Sequence, residues 1–323
     1  MLKAFYGFLT ANALIPRHVA ADGRWTRCGT ETHPNKRNGS YMLAADGRFG
    51  LCQNWETMTE CAVWRAGGES AREAQLADNS AAVERERLRR ESEQRGTKIA
   101  KERYEAATPL LDAAHPYLAK KRIETMAGCR GLRVDETGGL LVPMYRWGKL
   151  TSCQRIAADG AKLFASGAPV KGAYFALIRP KSPVTLVCEG LATAITCFQA
   201  VQTASVVCCF SAANLISVAE RLDWPGMVAV CADNDHETER RIGKNPGVEA
   251  ATKAAGVIGC GVAFPESADG ITDWNDFFVD RLERLEAKAE FGPKWEANPG
   301  KLRAAASAVV AAGIMRHVRK AEK

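Results

Sequence analysis

The sequence predicts an α/β protein built on a four-stranded parallel sheet with helices on both faces. A small β-rich module precedes it, and a helical linker and a helical tail complete the chain. Three observations lead there. Between residues 183 and 265, short apolar and β-branched runs alternate with helix-length stretches, the pattern of parallel strands covered on both sides. Residues 1–68 are instead rich in Gly, Thr, Asn and Trp and broken by turn dipeptides. Between these regions lies a stretch of interleaved charges with few large apolar residues.

In the N-terminal region, Asp22-Gly23, Asn38-Gly39 and Asp46-Gly47 mark turns, and alternating runs at Ser40–Leu43 and Arg48–Leu51 lie between them, so residues 1–68 read as a hairpin-based β module. Over residues 69–108, 18 of 40 positions are charged, and Arg87/Glu91 and Glu91/Arg95 fall at helical i,i+4 spacing. This is a solvated helix, either a plain spacer or a binding element. Residues 109–182 form a basic unit with a hairpin: Leu140–Tyr145, a turn at Gly148-Lys149, and a return over Leu150–Ile156 before the Asp159-Gly160 turn. Residues 183–280 carry the parallel sheet, with strands Val184–Cys188, Ser205–Phe210, Met227–Ala232 and Gly261–Phe264. Helices at Ala192–Val201, Asn214–Leu222 and Val248–Ala255 connect them, with a charged loop after the third strand. Residues 281–323 read as a helical tail with an amphipathic stretch at Leu302–Val318, either a packed helix or a docking site.

At 323 residues the chain has room for two or three domains, and its 46% hydrophobic and 25% charged content is that of a globular protein. A net charge of +7 admits a polyanionic partner without requiring one. Among the 11 cysteines there is no CxxC pair, and Cys188, Cys208, Cys209 and Cys231 sit in apolar runs, as buried thiols of a reduced, cytoplasmic protein do. No apolar run approaches the roughly 20 residues that span a bilayer, so no membrane role is expected, and the N-terminus is too weakly hydrophobic for a signal peptide.

In an open α/β sheet, ligands gather at the carboxyl ends of the strands. Glu189 directly follows the first parallel strand; Asp233 and Asp235 follow the third, and in extended geometry residues two apart point the same way. Asp273 and Asp276 follow the fourth. One acid after a strand is ordinarily a cap or turn residue; here the order of acids along successive strands points to a site. Clustered carboxylates raise one another's pKa unless a cation neutralises them. Oxygen-only ligation suits Mg²⁺ or Mn²⁺ rather than zinc.

Val187-Cys188-Glu189-Gly190, followed 44 residues after the glutamate by Ala232-Asp233-Asn234-Asp235, resembles the Toprim signature of primases, topoisomerases and related nucleases. The longer text resembles the Toprim primases of plasmids and phages: Cys188–Ala194, Phe210–Leu215, Asn245-Pro246-Gly247 and Thr272-Asp273-Trp274-Asn275-Asp276. Upstream, His115-Pro116-Tyr117-Leu118 with Lys121, Gln154-Arg155-Ile156 and Lys171-Gly172 extend the likeness to about residues 109–280. Arg27-Cys28 and Asn38–Tyr41 carry it into the N-terminal module. The resemblance implies a DNA primase that makes short RNA primers on single-stranded DNA from ribonucleoside triphosphates with Mg²⁺ or Mn²⁺. It implies Glu189 as metal ligand or acid/base, Asp233 and Asp235 as metal ligands, and Asp273 and Asp276 as accessory acids. Lys121, Arg155, Lys162, Lys171 and Asn214 would meet nucleic acid or nucleotide; for the four cations, solvated surface charge is the other reading.

Many such primases carry an N-terminal zinc module, but Cys28, His33, Cys52 and Cys61 depart from short-paired zinc spacings, so no zinc is expected. Trp25, Trp55 and Trp64 lie among Arg24, Arg27, Lys36, Arg37 and Arg48, either a base-stacking surface or a small core. No GxxxxGK[ST] occurs, so a helicase would be a separate partner. Two other classes compete: a Toprim nuclease or topoisomerase, and a non-catalytic single-stranded-DNA-binding accessory protein. All six tyrosines lie upstream of the Toprim segment, which disfavours a topoisomerase.

Overall fold

A computed structural model of the chain describes all residues except 67–70, 267, 291–297 and 322–323, and the side chains of 71–81. The expected boundary at residues 68/69 lies outside the described residues. The chain divides into two compact units, Met1–Glu91 and Ser92–Lys323.

In the first unit, helix α1 (Leu2–Ala11) precedes five antiparallel strands in sequential order: β1 (Leu14–Ile15), β2 (Thr26–Thr30), β3 (Gly39–Leu43), β4 (Phe49–Asn54) and β5 (Ala62–Arg65). Its core joins Phe5 and Leu9 of α1 to Leu14, Cys28, Tyr41, Leu43 and Cys52. The helix was not foreseen. Two apolar residues one turn apart suffice to bury its face, a signal too short to separate from a strand.

Helix α2 (Ala71–Ala106) follows. Its exposed part is laced by Arg87–Glu84 and Arg87–Glu91 pairs, as the i,i+3 and i,i+4 spacing predicts. Its last turns bury Ala100, Tyr104 and the adjoining Ala107, and Tyr104 and Ala107 pack on Leu141, so this end is a packing element and not a spacer.

The second unit holds two sheets. The first is antiparallel, in the order β10-β9-β8-β7-β6: β6 (Thr108–Pro109), β7 (Arg133–Val134), β8 (Leu140–Arg146), β9 (Lys149–Ile156) and β10 (Lys162–Phe164), with helix α3 (Pro116–Lys120) between β6 and β7. The β8–β9 hairpin turns at Trp147-Gly148, one residue before the expected position, and both have positive φ (47° and 71°). That is the two-residue turn whose twist matches paired strands.

The second sheet has six strands, where alternation foretold four. Parallel strands β12 (Val184–Cys188), β13 (Ala204–Cys208), β14 (Met227–Cys231) and β15 (Gly261–Ala263) lie in the order β13-β12-β14-β15. The unforeseen additions are antiparallel: β11 (Phe175–Leu177) beside β13, and β16 (Arg319–Lys320) beside the start of β14. At three and two residues they are too short to show a period. Helices α4 (Leu191–Ala200), α5 (Ala212–Ala219), α6 (His236–Ile242), α7 (Pro246–Ile258), α8 (Trp274–Glu290) and α9 (Pro299–Met315) complete the unit. The charged loop expected after the third strand contains α6, seven residues long with one buried, too polar to register as amphipathic.

Side chains alternate across the sheet. Leu186 and Cys188 of β12 face one core with α4, α8 and α9, while Val187, Val228 and Val230 face another with α5 and α7. The first core also takes Leu140, Val142, Met144 and Ile156 from the antiparallel sheet and Val310 and Ile314 from α9. Segments 109–182, 183–280 and 281–323 thus share one core, and the boundary expected at 280 falls inside α8. Among the described residues, no helix is long and apolar enough to cross a membrane.

Candidate active site

β12 and β14 run side by side in register, Cys188 opposite Cys231, so their carboxyl ends emerge level. Glu189 follows the first and Asp233 and Asp235 the second. The Asn234 N–H donates to the Thr272 carbonyl (2.6 Å), tying this edge to the entrance of α8. There Asp273 Oδ1 accepts from the N–H groups of Asn275 (2.7 Å) and Asp276 (2.9 Å), the geometry of an N-cap.

Burial and mutual repulsion dominate the electrostatics. Asp233 is pushed well above the usual carboxylate range by desolvation, then by Asp273, Glu189 and Asp235, with Lys162 opposing. Its Oδ1 is sealed from solvent and has no hydrogen-bond partner. Burial also raises Glu189, with Asp235 and Asp273 adding and the Ala212 N–H at the start of α5 and Lys162 opposing. Asp273 is raised by burial and by Asp276, against Lys121 and its own helix-cap bonds.

Asp276 stands apart. Its Oδ1 pairs with Lys121 Nζ at 2.9 Å and its Oδ2 accepts from Thr272 Oγ1 at 2.8 Å. It therefore neutralises a lysine and ties the first turn of α8 back to Thr272, while Asp273 caps the helix. Burial alone would lower the Lys121 pKa, but Asp273 and Asp276 outweigh it and the pKa is raised.

The remaining expected contacts separate. Lys162, at the start of β10, is exposed, and its charge acts on both Glu189 and Asp233. Lys171 is exposed as well. Arg155 is engaged elsewhere: its Nε donates to Asp135 Oδ2 (2.9 Å) and its NH2 to Thr137 Oγ1 (2.8 Å), with Arg103 on the same carboxylate at 2.6 Å. Burial would raise Asp135, yet the Thr137 hydroxyl and the Gly139 N–H, then Arg155 and Arg103, hold it well below its ordinary value. Asn214 is also committed. It accepts from the Gly172 N–H (2.6 Å) and donates to the carbonyls of Ala173 and Cys209 (2.8 Å each), joining the loop before β11 to the start of α5. Arg155 and Asn214 brace the fold rather than offer donors to a nucleotide.

The donor set fits a hard divalent cation. It is all oxygen, it crowds negative charge where no protein donor satisfies Asp233 Oδ1, and it opens at a strand edge. No three of these carboxylates bring an oxygen each within 4.8 Å of one another; among the described residues that closeness belongs to the sulfurs of Cys188, Cys197 and Cys231, buried beneath the edge. The wider spacing leaves room for a divalent ion that retains water and shares its shell with phosphate oxygens. The sequence signal for Glu189 and Asp233 lay in their position after apolar strands. Asn234, Asn245 and Gly247, which hold the Asp233–Asp235 turn, stand in stretches that carry the family likeness, but no local pattern shows that they meet it.

A parallel sheet with a glutamate after one strand and an Asp-x-Asp after its neighbour defines the Toprim class. Residues 184–283 match the sequence profile of the Toprim domain. Across 80% of its length it is 29% identical to DNA primase TraC of Escherichia coli, of which it spans 19% of the length. Solved structures with partial likeness include the primase fragment of the bacteriophage T7 primase-helicase protein (17% identity, TM-score 0.37, 52% of this chain and 70% of that one). Another is a T7 lagging-strand polymerase complex with primase domains bound to an RNA/DNA hybrid (16% identity, TM-score 0.33, 50% and 81%).

Proposed function

We propose that this chain is a DNA primase of the plasmid and phage type, making short RNA primers on single-stranded DNA by metal-dependent nucleotidyl transfer. The observation that carries this reading is the set Glu189, Asp233 and Asp273 at the strand ends and the entrance of α8, raised by burial and by neighbouring acids, with one Asp233 oxygen left without a partner. Asp233 and Asp235, with Asp273 contributing negative charge, would hold Mg²⁺ or Mn²⁺, which when bound would supply charge neutralisation for phosphates and a lowered pKa for a hydroxyl. Glu189, a carboxylate of raised pKa, is the group to take the proton from the primer's 3′-hydroxyl as it attacks the α-phosphate and pyrophosphate departs. Lys162 and Lys171, exposed, meet phosphates.

Template selection falls to the N-terminal module. A cavity of about 560 Å³ there is lined by Arg17, Arg27, Lys36 and Arg37. Arg27 also stacks on the exposed Trp55 (5.1 Å), and with the exposed Trp25 they line a second pocket that shares Arg27 with the first. Cations for phosphates beside aromatic faces for bases suit single-stranded DNA. Trp64 is excluded, since it packs on Phe5 in the core. Cys28 and Cys52 lie in that core too, and His33 binds Glu56. The motor that opens the duplex is a separate helicase.

The test is incorporation of labelled ribonucleotides on single-stranded DNA with and without Mg²⁺. Short, template-dependent RNA products are expected. Strand cleavage without synthesis would make the site a nuclease, and DNA binding with neither activity would make the chain an accessory protein.

A further inference from the structure

We propose that Asn245 and Gly247, at the N-cap and in the first turn of α7, are positioning residues that set the Asp233–Asp235 turn for its divalent ion; this rests on the metal reading above. The side chain of Asn245 is buried and every hydrogen-bonding position on it is used. Its Oδ1 accepts from the backbone N–H of Asp235 (3.0 Å) and of Val248 (3.3 Å). Its Nδ2 donates to Asn234 Oδ1 (2.9 Å) and Glu239 Oε2 (3.0 Å). The amide has one possible orientation, because a flipped group would set NH₂ against two N–H donors. Asn234 passes the restraint on: its Nδ2 donates to the Pro265 carbonyl (2.9 Å), fixing the turn against the segment after β15.

Gly247 acts from the other side. Its N–H donates to Asp235 Oδ2 at 2.9 Å, which orients that carboxylate. A side chain here would drive its Cβ into the Asp233 carbonyl oxygen and crowd Asp235 Oδ2 at 3.1 Å. Pro246 opens α7 between them, where a missing N–H costs nothing. The three-residue turn therefore reaches Asp235 through its backbone N–H, its carboxylate and its neighbour Asn234. Partners of this kind, one bond removed from a metal ligand, decide how well the ligand is aimed.

A plain structural role is the competing explanation, since Asn245 is also the N-cap of α7. Asn245→Asp separates the two. Aspartate caps a helix as well as asparagine does, but it cannot donate to Asn234 and Glu239. The measurement is Mn²⁺ binding by the full chain, followed by electron paramagnetic resonance, together with Tm. The control is Asn298→Asp, which makes the same change at the exposed N-cap of α9. The proposal expects Asn245→Asp to bind Mn²⁺ about 10–100-fold more weakly than wild type, with the control unchanged. An added carboxylate by itself would tighten cation binding, so weakening reports a displaced turn. Gly247→Ala keeps every donor and acceptor and adds one methyl; the same weakening is expected. Wild-type or tighter Mn²⁺ affinity in both variants overturns the proposal, and so does a wild type that binds no Mn²⁺. A wild type that binds Mn²⁺ but makes no primers sinks the primase reading alone.

Discussion

Two groups of carboxylates in this molecule are built on opposite principles. In the N-terminal module, Glu56 is met by donors: Thr32, Asn38 (2.7 Å), Thr30 (2.7 Å) and His33 all converge on it, and they pull its pKa down to about 2. At the Toprim edge, burial pushes Glu189, Asp233 and Asp273 up, neighbouring acids add to it, and one oxygen of Asp233 has no partner. An acid satisfied by the protein is there to hold the protein together, as Glu56 ties the β2–β3 connection to the end of β4. A buried carboxylate oxygen that no donor reaches, as on Asp233, needs something else, and a divalent ion meets that need. Counting acids in a sequence cannot separate these cases; counting the donors around each one does.

The comparison breaks first, and most visibly, if the unsatisfied acids are removed without consequence. Glu189→Gln is expected to lower primer synthesis by about 10²–10⁴-fold, the range for a lost acid/base group, while the fold is kept. Asp233→Asn is expected to raise the Mg²⁺ needed for half-maximal activity, with excess Mn²⁺ restoring part of it. An unchanged Mg²⁺ titration would take Asp233 out of the site.

Stability against pH gives the next largest effect. A carboxyl whose folded pKa is raised contributes stability that is fully present below its unfolded value, about 4, and is lost as pH rises through the folded value. Glu189, Asp233 and Asp273 all belong to this class. Metal-free protein is therefore expected to lose Tm from about pH 4 upward, and Asp233→Asn to lose less. Mg²⁺ at a hundred times its Kd adds about 2.7 kcal/mol, or roughly 5–10 °C for a unit of this size, in the wild type and less in the variant. Parallel melting curves for the two proteins between pH 4 and 8 check it.

A smaller contrast sets Arg155 against Lys162. Arg155→Ala removes two charge-assisted bonds from the Asp135 loop, so it is expected to cost about 1.5–3 kcal/mol for each bond lost at most and to leave DNA affinity as it was. Lys162→Ala is expected to keep Tm and to flatten the salt dependence of DNA binding by about one counterion. Measured together, denaturant unfolding and oligonucleotide binding over a salt series would reverse the assignment if Arg155→Ala, and not Lys162→Ala, changed the slope.

These contrasts also mark what was legible in the chain. The placement of Glu189 and Asp233 at strand ends could be read because a buried parallel strand is a continuous apolar run, and the acid that ends it stands out. The sheet was legible for the same reason, except for β11 and β16, which are too short to carry a period. Arg155 and Asn214 could not be read. Arg155 finds Asp135 and Thr137 some 20 residues away and Asn214 finds Gly172 42 residues away, and no local pattern encodes either meeting. Likewise, nothing near Trp64 says that α1 will place Phe5 against it, while Trp25 and Trp55 remain exposed.

The finest test returns to Glu56, whose expected effect is small and opposite in sign to that of the Toprim acids. A carboxyl with a lowered folded pKa contributes stability that is present above its unfolded value, about 4.3, and lost as pH falls through the folded value. Glu56 is lowered to about 2, chiefly by Thr32 and then by Asn38 and Thr30, so the module should weaken as pH falls between those two values. Glu56→Gln keeps one acceptor oxygen but replaces the other with an NH₂ group. That group cannot accept from a threonine hydroxyl, so at neutral pH the variant should melt slightly below wild type. Below pH 3 or so, where the wild-type carboxyl begins to take up its proton, the two curves should draw together. Mg²⁺ should make no difference to the gap, and primer synthesis should persist, because this carboxylate already has the partners it needs. A Glu56→Gln protein whose Mg²⁺ requirement rose would place Glu56 among the metal-binding acids, and the count of donors would then no longer tell a structural carboxylate from a functional one.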